Sequence, residues 1–513
     1  MPAPKQDLST LKFLAIDDMA THRDLLKSML WRANVRSIDL ACDGADAIKH
    51  ISQNTYDVIL CDYNLGDGQD GQQVLEEAMT RNLLPYATLY VMITAENTSN
   101  MVMGAMEYSP DDYLIKPINE QLLTLRVSRL LEKKSIFKEV YKASTKKDYE
   151  TAIKLCDELI KTHRKMALEI FKTKGGFCLK AKKFEAAEKV YSSVLKKREY
   201  QWASLGLGEA LLELEKYDEA KKLFNKLIIV NHNCVEAYDF LAILYLQTDD
   251  NIKAQEALEQ TVRISPKSLV RQRKLANVAY DNEDYVVAET AFQRAMFLGE
   301  HSYLRLVDDH IGMAKTYEKQ GERDKVKTMF FNIQKFFKNH PESRIRAEIA
   351  NSLMIKESGD YFQAKIMFEK LKKAFVNLNL RQAEDELVAD MGAICIEFGD
   401  EETAKNSVLN TDYILDEIAK NNEKYKKINQ DGMAFFKQGE FSKAIEEFSN
   451  VAELQPEVIS FQLNAAQAII KLTENGEGND SLKKQMKAFL EAARQLDRSN
   501  ERLQKLKDIA KSL

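Results

Sequence analysis

The chain has 513 residues, 45% of them hydrophobic, and a formal net charge of −5. No apolar stretch approaches the ~18 residues of a membrane-spanning helix, and the first residues do not read as a signal peptide, so we expect a cytoplasmic protein without membrane insertion. The six cysteines are dispersed without paired spacing, which favours free thiols in a reducing compartment.

The first quarter of the chain alternates apolar runs with segments of helical periodicity. Such alternation predicts an α/β domain in which a parallel sheet is covered by helices on both faces. The four apolar runs are Phe13-Leu14-Ala15-Ile16, Val58-Ile59-Leu60-Cys61, Leu89-Tyr90-Val91-Met92-Ile93 and Tyr113-Leu114-Ile115.

Each apolar run ends at a polar residue. Asp17 and Asp18 follow the first run, Asp62 the second, Thr94 the third and Lys116 the fourth. In open parallel sheets, functional sites gather beyond the carboxyl ends of the strands. Clustered carboxylates repel one another unless a cation is present, and hard oxygen ligands suit Mg²⁺. Because a carboxylate can also attack phosphorus, the pattern predicts a phosphoryl-transfer site. The alternative is a set of solvated strand-end loops, since Asp favours turns.

Residues 11–131 resemble the receiver domain of bacterial two-component response regulators, which implies a doubly wound, five-stranded parallel sheet. The matching motifs are Ile16-Asp17-Asp18, Ile59-Leu60-Cys61-Asp62, Ile93-Thr94-Ala95 and Asp112-Tyr113-Leu114-Ile115-Lys116-Pro117. The resemblance implies that a sensor histidine kinase or a phosphotransfer protein phosphorylates the chain. It also implies that the chain is not an enzyme in any wider sense, because a receiver promotes only its own phosphorylation and dephosphorylation.

The resemblance assigns roles to individual residues. It implies that Asp62 is the phosphoacceptor and that Asp18, Asp62 and the backbone carbonyl of Asn64 bind Mg²⁺ directly, with Asp17 acting largely through water. The loop after Asp62 departs from the family because it lacks the usual proline. The side chains of Asn64 and Glu96 are similar to the pair in chemotaxis regulators, which implies a short-lived phosphorylated state.

Three further residues take roles from the same resemblance. Thr94 and Lys116 match the hydroxyl and ammonium that assist phosphoryl transfer, and Tyr113 matches the aromatic switch residue. Lys116-Pro117 matches the place where the family has a cis peptide bond.

The rest of the chain, residues 132–513, is a predicted all-α array. Alignment on Ala220, Ala254 and Ala288 gives a period of 34 residues, the value of tetratricopeptide (TPR) repeats. Weaker copies extend in both directions, and the downstream spacing stretches to 38–40 residues. We expect about nine helical pairs, an irregular C-terminal pair and a capping helix, stacked as a solenoid with a long concave surface.

The junction between the two parts is predicted to be helical. Residues 119–144 contain no Gly or Pro, so the last helix of the first domain is predicted to run on into the first repeat. The alternative is two helices with a turn near Lys133-Lys134-Ser135. In either case a flexible linker is not indicated.

Charge is unevenly distributed along the chain. Residues 1–131 carry 11 Lys/Arg and 18 Asp/Glu, a net charge of −7, whereas residues 132–183 carry 15 and 7, a net charge of +8. Three interpretations of the basic stretch are open: a solvated helical face, docking against the acidic domain or an acidic partner, and nucleic-acid binding. Nucleic acid is the least favoured, because aromatic interleaving and a DNA-binding module are both missing.

The concave face offers candidate partner-binding residues. Positions that line this face in TPR arrays include Lys172, Asp239, Arg273 and Asn277, whose mixed charges suit a protein segment better than a polyanion. The favoured function is therefore a phosphorylation-switched adaptor whose repeats bind a protein partner. The alternatives are a phosphate sink or relay intermediate that the repeats localise, and a nucleic-acid regulator that uses residues 132–183.

Overall fold

The chain is described from a computed structural model, which covers residues 7–95, 109–376, 385–400, 412–454, 458–496 and 500–511. Glu96, and the helical repeat segment predicted around Ala404, lie outside these residues. The chain divides into two compact units, residues 1–320 and 321–513, and each is described by itself.

The first unit begins with a five-stranded, all-parallel sheet in the order β2-β1-β3-β4-β5. This confirms the predicted α/β doubly wound architecture. Its described elements are β1 (Lys12–Ile16), α1 (Ala20–Arg32), β2 (Ser37–Ala41), α2 (Gly44–Gln53), β3 (Val58–Asp62), α3 (Gly71–Thr80), β4 (Leu89–Thr94), β5 (Asp112–Ile115) and α4 (Glu120–Thr145).

Alternate residues of the central strands pack on opposite faces of the sheet. On one face, Phe13 and Leu60 belong to a buried cluster with residues of α1 and α4. On the other face, Leu14 and Ile59 belong to a cluster with residues of α2 and α3. Burial on both faces explains why these strands read as continuous apolar runs.

Helix α4 is one continuous helix of 26 residues, which confirms the predicted helical junction and places the predicted boundary at 131/132 within a helix. Its C-terminal half packs against the receiver-like domain as well as the first repeat. The rings of Tyr86 and Tyr141 stack with centroids 3.5 Å apart. The Lys134 ammonium donates to the carbonyl of Thr88 and lies 2.9 Å from a carboxylate oxygen of Asp111. The junction is therefore a packed interface.

The remaining helices of the first unit follow one another as antiparallel pairs of the predicted repeat. They are α5 (Tyr149–Thr162), α6 (Ala167–Lys180), α7 (Phe184–Leu195), α8 (Gln201–Glu213), α9 (Tyr217–Val230), α10 (Val235–Gln247), α11 (Asn251–Ile264), α12 (Leu269–Asp281), α13 (Tyr285–Gly299) and α14 (Val307–Lys319). Ala220, Ala254 and Ala288, which defined the period, each have 0% exposure, so the repeat register is confirmed.

The turns inside the repeats share an unusual backbone conformation. A residue with positive φ precedes the cap of the second helix in each pair, and in the first unit none of these is glycine: the five are Lys147, Lys182, Glu215, Asp249 and Glu283, with φ between 56° and 62°. In three of them the next residue, Asp148, Asp250 or Asp284, caps the helix by accepting a backbone N–H bond. The capping side chain and the left-handed turn together end one helix and start the next.

The second unit contains helices joined by turns, and no strand, among its described residues. Its helices are α15 (Arg323–Phe336), α16 (Pro341–Glu357), α17 (Tyr361–Val376), α18 (Asp385–Glu397), α19 (Asp412–Lys437), α20 (Phe441–Leu454), α21 (Ile459–Glu474), α22 (Asp480–Leu496) and α23 (Glu501–Lys511). Here the corresponding turn residues are glycines, namely Gly321, Gly359, Gly399 and Gly439. Helix α23 packs through Leu503 and Leu506 onto the cluster that α20, α21 and α22 form, as expected of a capping helix.

Among the described residues, no helix is both long enough and apolar enough to cross a membrane. All six cysteines lie in described residues and are free thiols; Cys42 is exposed and the other five are buried.

The left-handed turns generate a stability prediction. Glu215 has φ 59°, a conformation that costs an L-residue about 1–2 kcal/mol and that glycine adopts without strain. Glycine also makes the unfolded chain more flexible, which lowers stability by about 0.4–1 kcal/mol. Glu215→Gly should therefore raise the free energy of unfolding by roughly 0.5–1 kcal/mol, measured by denaturant titration. The matched control is Glu213→Gly, which removes the same side chain from the last turn of α8. It should lower the stability; a fall in both variants would contradict the argument.

Candidate phosphoryl-transfer site

The strand register brings the polar strand ends to one place. Ile16 pairs with Cys61, so Asp17 is level with Asp62 on the neighbouring strand. Asp62 pairs with Ile93, which puts Thr94 one step further along β4. The backbone N–H of Lys116 donates to the carbonyl of Thr94. The strand order β2-β1-β3 reverses between β1 and β3, and open parallel sheets form their crevice at such a point.

Lys116 is the cation at the centre of this crevice. Its ammonium lies 2.9 Å from Oδ2 of Asp62 and 3.0 Å from Oδ2 of Asp17. The Asp17 side chain is 1% exposed and that of Asp62 is 10% exposed, so both ion pairs are shielded from water and from salt. The peptide bond between Lys116 and Pro117 is cis, as the family resemblance implied.

The loop after β1 is held in place by the first turn of α1. The Arg23 guanidinium donates to the backbone carbonyls of Asp17 and Asp18 at 2.7 and 3.0 Å. Nδ1 of His22 lies 3.2 Å from the Lys116 ammonium and 3.3 Å from Oδ2 of Asp17. Since an ammonium only donates, Nδ1 accepts from Lys116. Neither His22 nor Arg23 was predicted from the sequence, because neither belongs to a strand-end motif.

The loop after β3, residues 63–70, is anchored close to Asp62. The N–H of Tyr63 donates to the carbonyl of Ile93 and its carbonyl accepts from Gly71, both at 2.8 Å. A Cβ on Gly71 would lie 2.1 Å from the carbonyl oxygen of Asp62, so only glycine fits between α3 and strand β3. Asn64 follows in the exposed part of the loop.

The electrostatics of the crevice reflect an excess of negative charge. Burial raises the pKa of the Asp62 carboxyl, and the negative charge of Asp17 adds to that effect, although the hydrogen bond and charge of Lys116 oppose it. Burial lowers the pKa of Lys116, but the carboxylates of Asp62 and Asp17 outweigh burial and raise it. One ammonium therefore stays protonated without fully compensating the carboxylates.

This donor set fits a magnesium ion. Asp17, Asp18 and Asp62 each offer a carboxylate oxygen, and these oxygens lie within 4.8 Å of one another. The ligands are all hard oxygens, which Mg²⁺ prefers. Receiver domains typically bind Mg²⁺ through such an acidic pocket, and the residues present here match that use.

Thr94 and Tyr113 lie on the two strands that follow β3 in the sheet, β4 and β5. Thr94 is buried at the end of β4. Tyr113 lies on β5, packs against the cluster on the α2 and α3 face of the sheet, and is half-buried. Burial raises the pKa of its hydroxyl to about 12, so the phenol is neutral and acts as a hydrogen-bonding group.

The four concave-face candidates have two different environments. Lys172 and Asn277 are exposed. Asp239 instead pairs with Arg271 of the next repeat at 2.8 Å, and Arg273 pairs with Asp309, whose side chain is 1% exposed, at 2.6 Å. Asp239 and Arg273 thus tie successive repeats together, a role that sequence reasoning missed because the partners lie 32 and 36 residues away.

Comparison with known proteins agrees with this architecture. Residues 13–128 match the response regulator receiver domain family, and residues 179–244 match the tetratricopeptide repeat family. The Transcriptional regulatory protein ResD of Bacillus subtilis is 37% identical over 125 residues, which are 24% of this chain and 49% of that protein. The chain therefore spans about half the length of that relative.

Two solved structures are also similar to parts of the chain. A two-component response regulator from Clostridium difficile is 33% identical and corresponds to 24% of this chain and 97% of that one, with a TM-score of 0.22. A tetratricopeptide repeat protein from Parabacteroides merdae is 14% identical and corresponds to 50% of this chain and 96% of that one, with a TM-score of 0.32. The chain therefore contains a response regulator receiver domain that is followed by tetratricopeptide repeats.

Proposed function

We propose that the chain is a phosphorylation-switched adaptor. In this proposal Asp62 accepts a phosphoryl group from a histidine kinase or a phosphotransfer protein, and the TPR array binds a protein partner as the output. The observation that carries the proposal is the Lys116 ammonium, which lies within 3.0 Å of both Asp62 and Asp17 at the level ends of adjacent strands.

The chemistry follows from the groups around Asp62. A carboxylate oxygen of Asp62 attacks phosphorus and forms an acyl phosphate while the bond between phosphorus and the donor breaks. Charge develops on the equatorial phosphoryl oxygens, so catalysis is mainly positioning and charge stabilisation. Lys116 supplies one positive charge, and the Thr94 hydroxyl supplies a donor from the buried end of β4. Magnesium bound by Asp18, Asp62 and the carbonyl of Asn64, with Asp17 acting through water, would supply further positive charge.

The output role rests on the exposed part of the concave surface. Lys172 and Asn277 are accessible, whereas Asp239 and Arg273 are engaged in ion pairs between repeats. A protein segment that binds there meets isolated polar side chains on a scaffold whose own charges are already paired.

The basic stretch favours docking within the chain over nucleic-acid binding. Lys134 is bonded to the receiver domain, and Lys133, Lys174 and Lys183 lie beside the carboxylates of neighbouring repeat helices. A stretch in which carboxylates accompany the lysines is a poor track for a polyanion, which needs a surface of one sign.

Replacement of the nucleophile tests the proposal directly. Asp62→Asn should abolish Mg²⁺-dependent labelling by acetyl phosphate, because the amide cannot attack phosphorus. The fold should persist, since the change removes one negative charge from a crowded acidic site. Labelling is measured by intact mass and the fold by circular dichroism. Label that is acid-stable and base-labile in the variant would overturn the assignment.

The phosphorylated state should be short-lived. Asn64 is exposed and short, so water can reach the phosphoryl group past it. We expect wild-type aspartyl phosphate to decay within minutes at neutral pH, measured by loss of label over time. Asn64→Arg should slow the decay by covering this approach. Persistence for many hours in the wild type would contradict the prediction.

On the concave face, we expect some substitutions to weaken partner binding and a different one to lower stability. Pull-downs that compare Asp62→Asn with beryllofluoride-treated wild type identify a partner whose binding depends on the state of Asp62. The double variant Lys172→Ala/Asn277→Ala should weaken capture of that partner and leave stability unchanged. Arg273→Ala should instead destabilise the array by about 3–5 kcal/mol, because Asp309 is left buried without its partner. Partners that do not change with the state of Asp62, together with rapid phosphoryl exchange, would favour a phosphate sink.

A further inference from the structure

The TPR array touches the receiver domain a second time, far along the chain from the junction. The amide Nε2 of Gln73, in the first turn of α3, donates to the backbone carbonyl of Leu298 near the end of α13 at 3.1 Å. The Lys267 ammonium, just before α12, lies over the ring of Tyr63, 5.6 Å from its centroid. We call these two contacts the clasp.

Both contacts lead to the phosphoacceptor in one or two steps. Tyr63 is covalently next to Asp62, and its backbone is fixed to β4 and to the start of α3. The start of α3 in turn packs against Asp62, since Gly71 leaves no room for a side chain beside the Asp62 carbonyl. A displacement of Asp62 or of the loop at residues 63–70 therefore moves groups that the repeats hold.

Hydrogen bonds fix the orientation of the Gln73 side-chain amide. Its Oε1 accepts from the N–H of Asp70 at 3.1 Å, while the Asp70 carboxylate accepts from the N–H of Gln73 at 2.8 Å, which forms a capping box for α3. This leaves the amide hydrogens of Nε2 to meet a carbonyl of the array. The same residue thus starts α3 and joins it to the repeats.

The charges at the clasp complement one another. Burial raises the pKa of the Asp70 carboxyl, and the charge of Lys267 is close enough to oppose that rise. The Lys267 cation also faces the negative face of the Tyr63 ring, an attractive arrangement. A basic residue of the fifth repeat pair is therefore directed at the loop that carries the phosphorylation chemistry.

The junction makes the clasp a second point of attachment. The stack of Tyr86 on Tyr141 and the bonds of Lys134 already fix the receiver to the first repeat. Because the receiver is already held at the junction, any movement of the receiver relative to the repeats must strain the contacts of the clasp. The segment from α4 to α13 therefore contacts the same receiver domain near both of its ends.

We propose that the clasp couples the phosphorylation loop of the receiver to the fifth repeat pair, so that the TPR array positions the loop around Asp62 and the array in turn responds to the state of Asp62. The inference rests on the proposed phosphorylation of Asp62. Because coupling between two sites is reciprocal, release of the clasp changes the lifetime of the phosphoryl group, and loading of Asp62 changes the stability of the repeat segments that form the clasp.

Two substitutions in the full chain open the clasp without removing the site. Gln73→Glu keeps the acceptor of the capping box but replaces the donor to Leu298 with a carboxylate. Lys267→Ala removes the cation from Tyr63. The matched controls are Gln53→Glu, at the exposed end of α2, and Lys274→Ala, at an exposed position of α12. Lys267→Arg keeps a cation over the ring and serves as the rescue variant.

The first readout is the decay of aspartyl phosphate after labelling with acetyl phosphate and Mg²⁺. Both clasp variants should lose the label at least about twofold faster than wild type, in line with the size of coupling effects along such contacts. The loop is then less restrained and more open to water. The two controls and Lys267→Arg should decay at the wild-type rate.

The second readout is hydrogen exchange with and without beryllofluoride and Mg²⁺. In the wild type, exchange of residues 265–269 and 298–302 should change on loading, and this change should be lost in Gln73→Glu. If Asp62 takes up no label in wild type, the proposed function and the inference both fall. If Asp62 is labelled but decay and exchange are the same in wild type and both clasp variants, the inference alone is overturned.

Discussion

The level ends of two adjacent parallel strands are the constraint on which the rest of this molecule depends. Because Ile16 pairs with Cys61, the carboxylates of Asp17 and Asp62 are brought to the same height, where they would repel each other. The Lys116 ammonium, which lies beside both carboxylates, reduces that repulsion. The remaining negative charge makes the pocket receptive to a cation. The register of the sheet thus produces the excess of negative charge at the site.

Helix α4 determines how that chemistry can reach the repeats. A helix of 26 residues without a break belongs to the core of the receiver through Leu123 and Val127 and to the core of the first repeat through Phe137 and Val140. The two parts share a structural element, so a linker with free rotation does not separate them. A change in the receiver therefore reaches the array as a displacement of packed side chains rather than as a change in tether length.

Sequence reasoning succeeded where the physical cause is local. The strand ends could be predicted because each apolar run stops at a polar residue, and the repeat register could be predicted because a 34-residue period places Ala220, Ala254 and Ala288 where only a small side chain fits. It failed where the cause is distant. The clasp joins Gln73 to Leu298, which are 225 residues apart, so no local pattern could have indicated it. The left-handed turns were also missed, because residues such as Glu215 occur where glycine would have been the signal.

The ion pairs between repeats restrict what the concave surface can do. Arg273 compensates Asp309, which is almost inaccessible to water, so a ligand that drew Arg273 away would leave a buried carboxylate uncompensated at a cost of several kcal/mol. In the proposed function, a partner would therefore bind side chains such as Lys172 and Asn277, which are exposed and belong to neither of the ion pairs between repeats. The same restriction keeps successive repeats in register while a ligand binds or leaves.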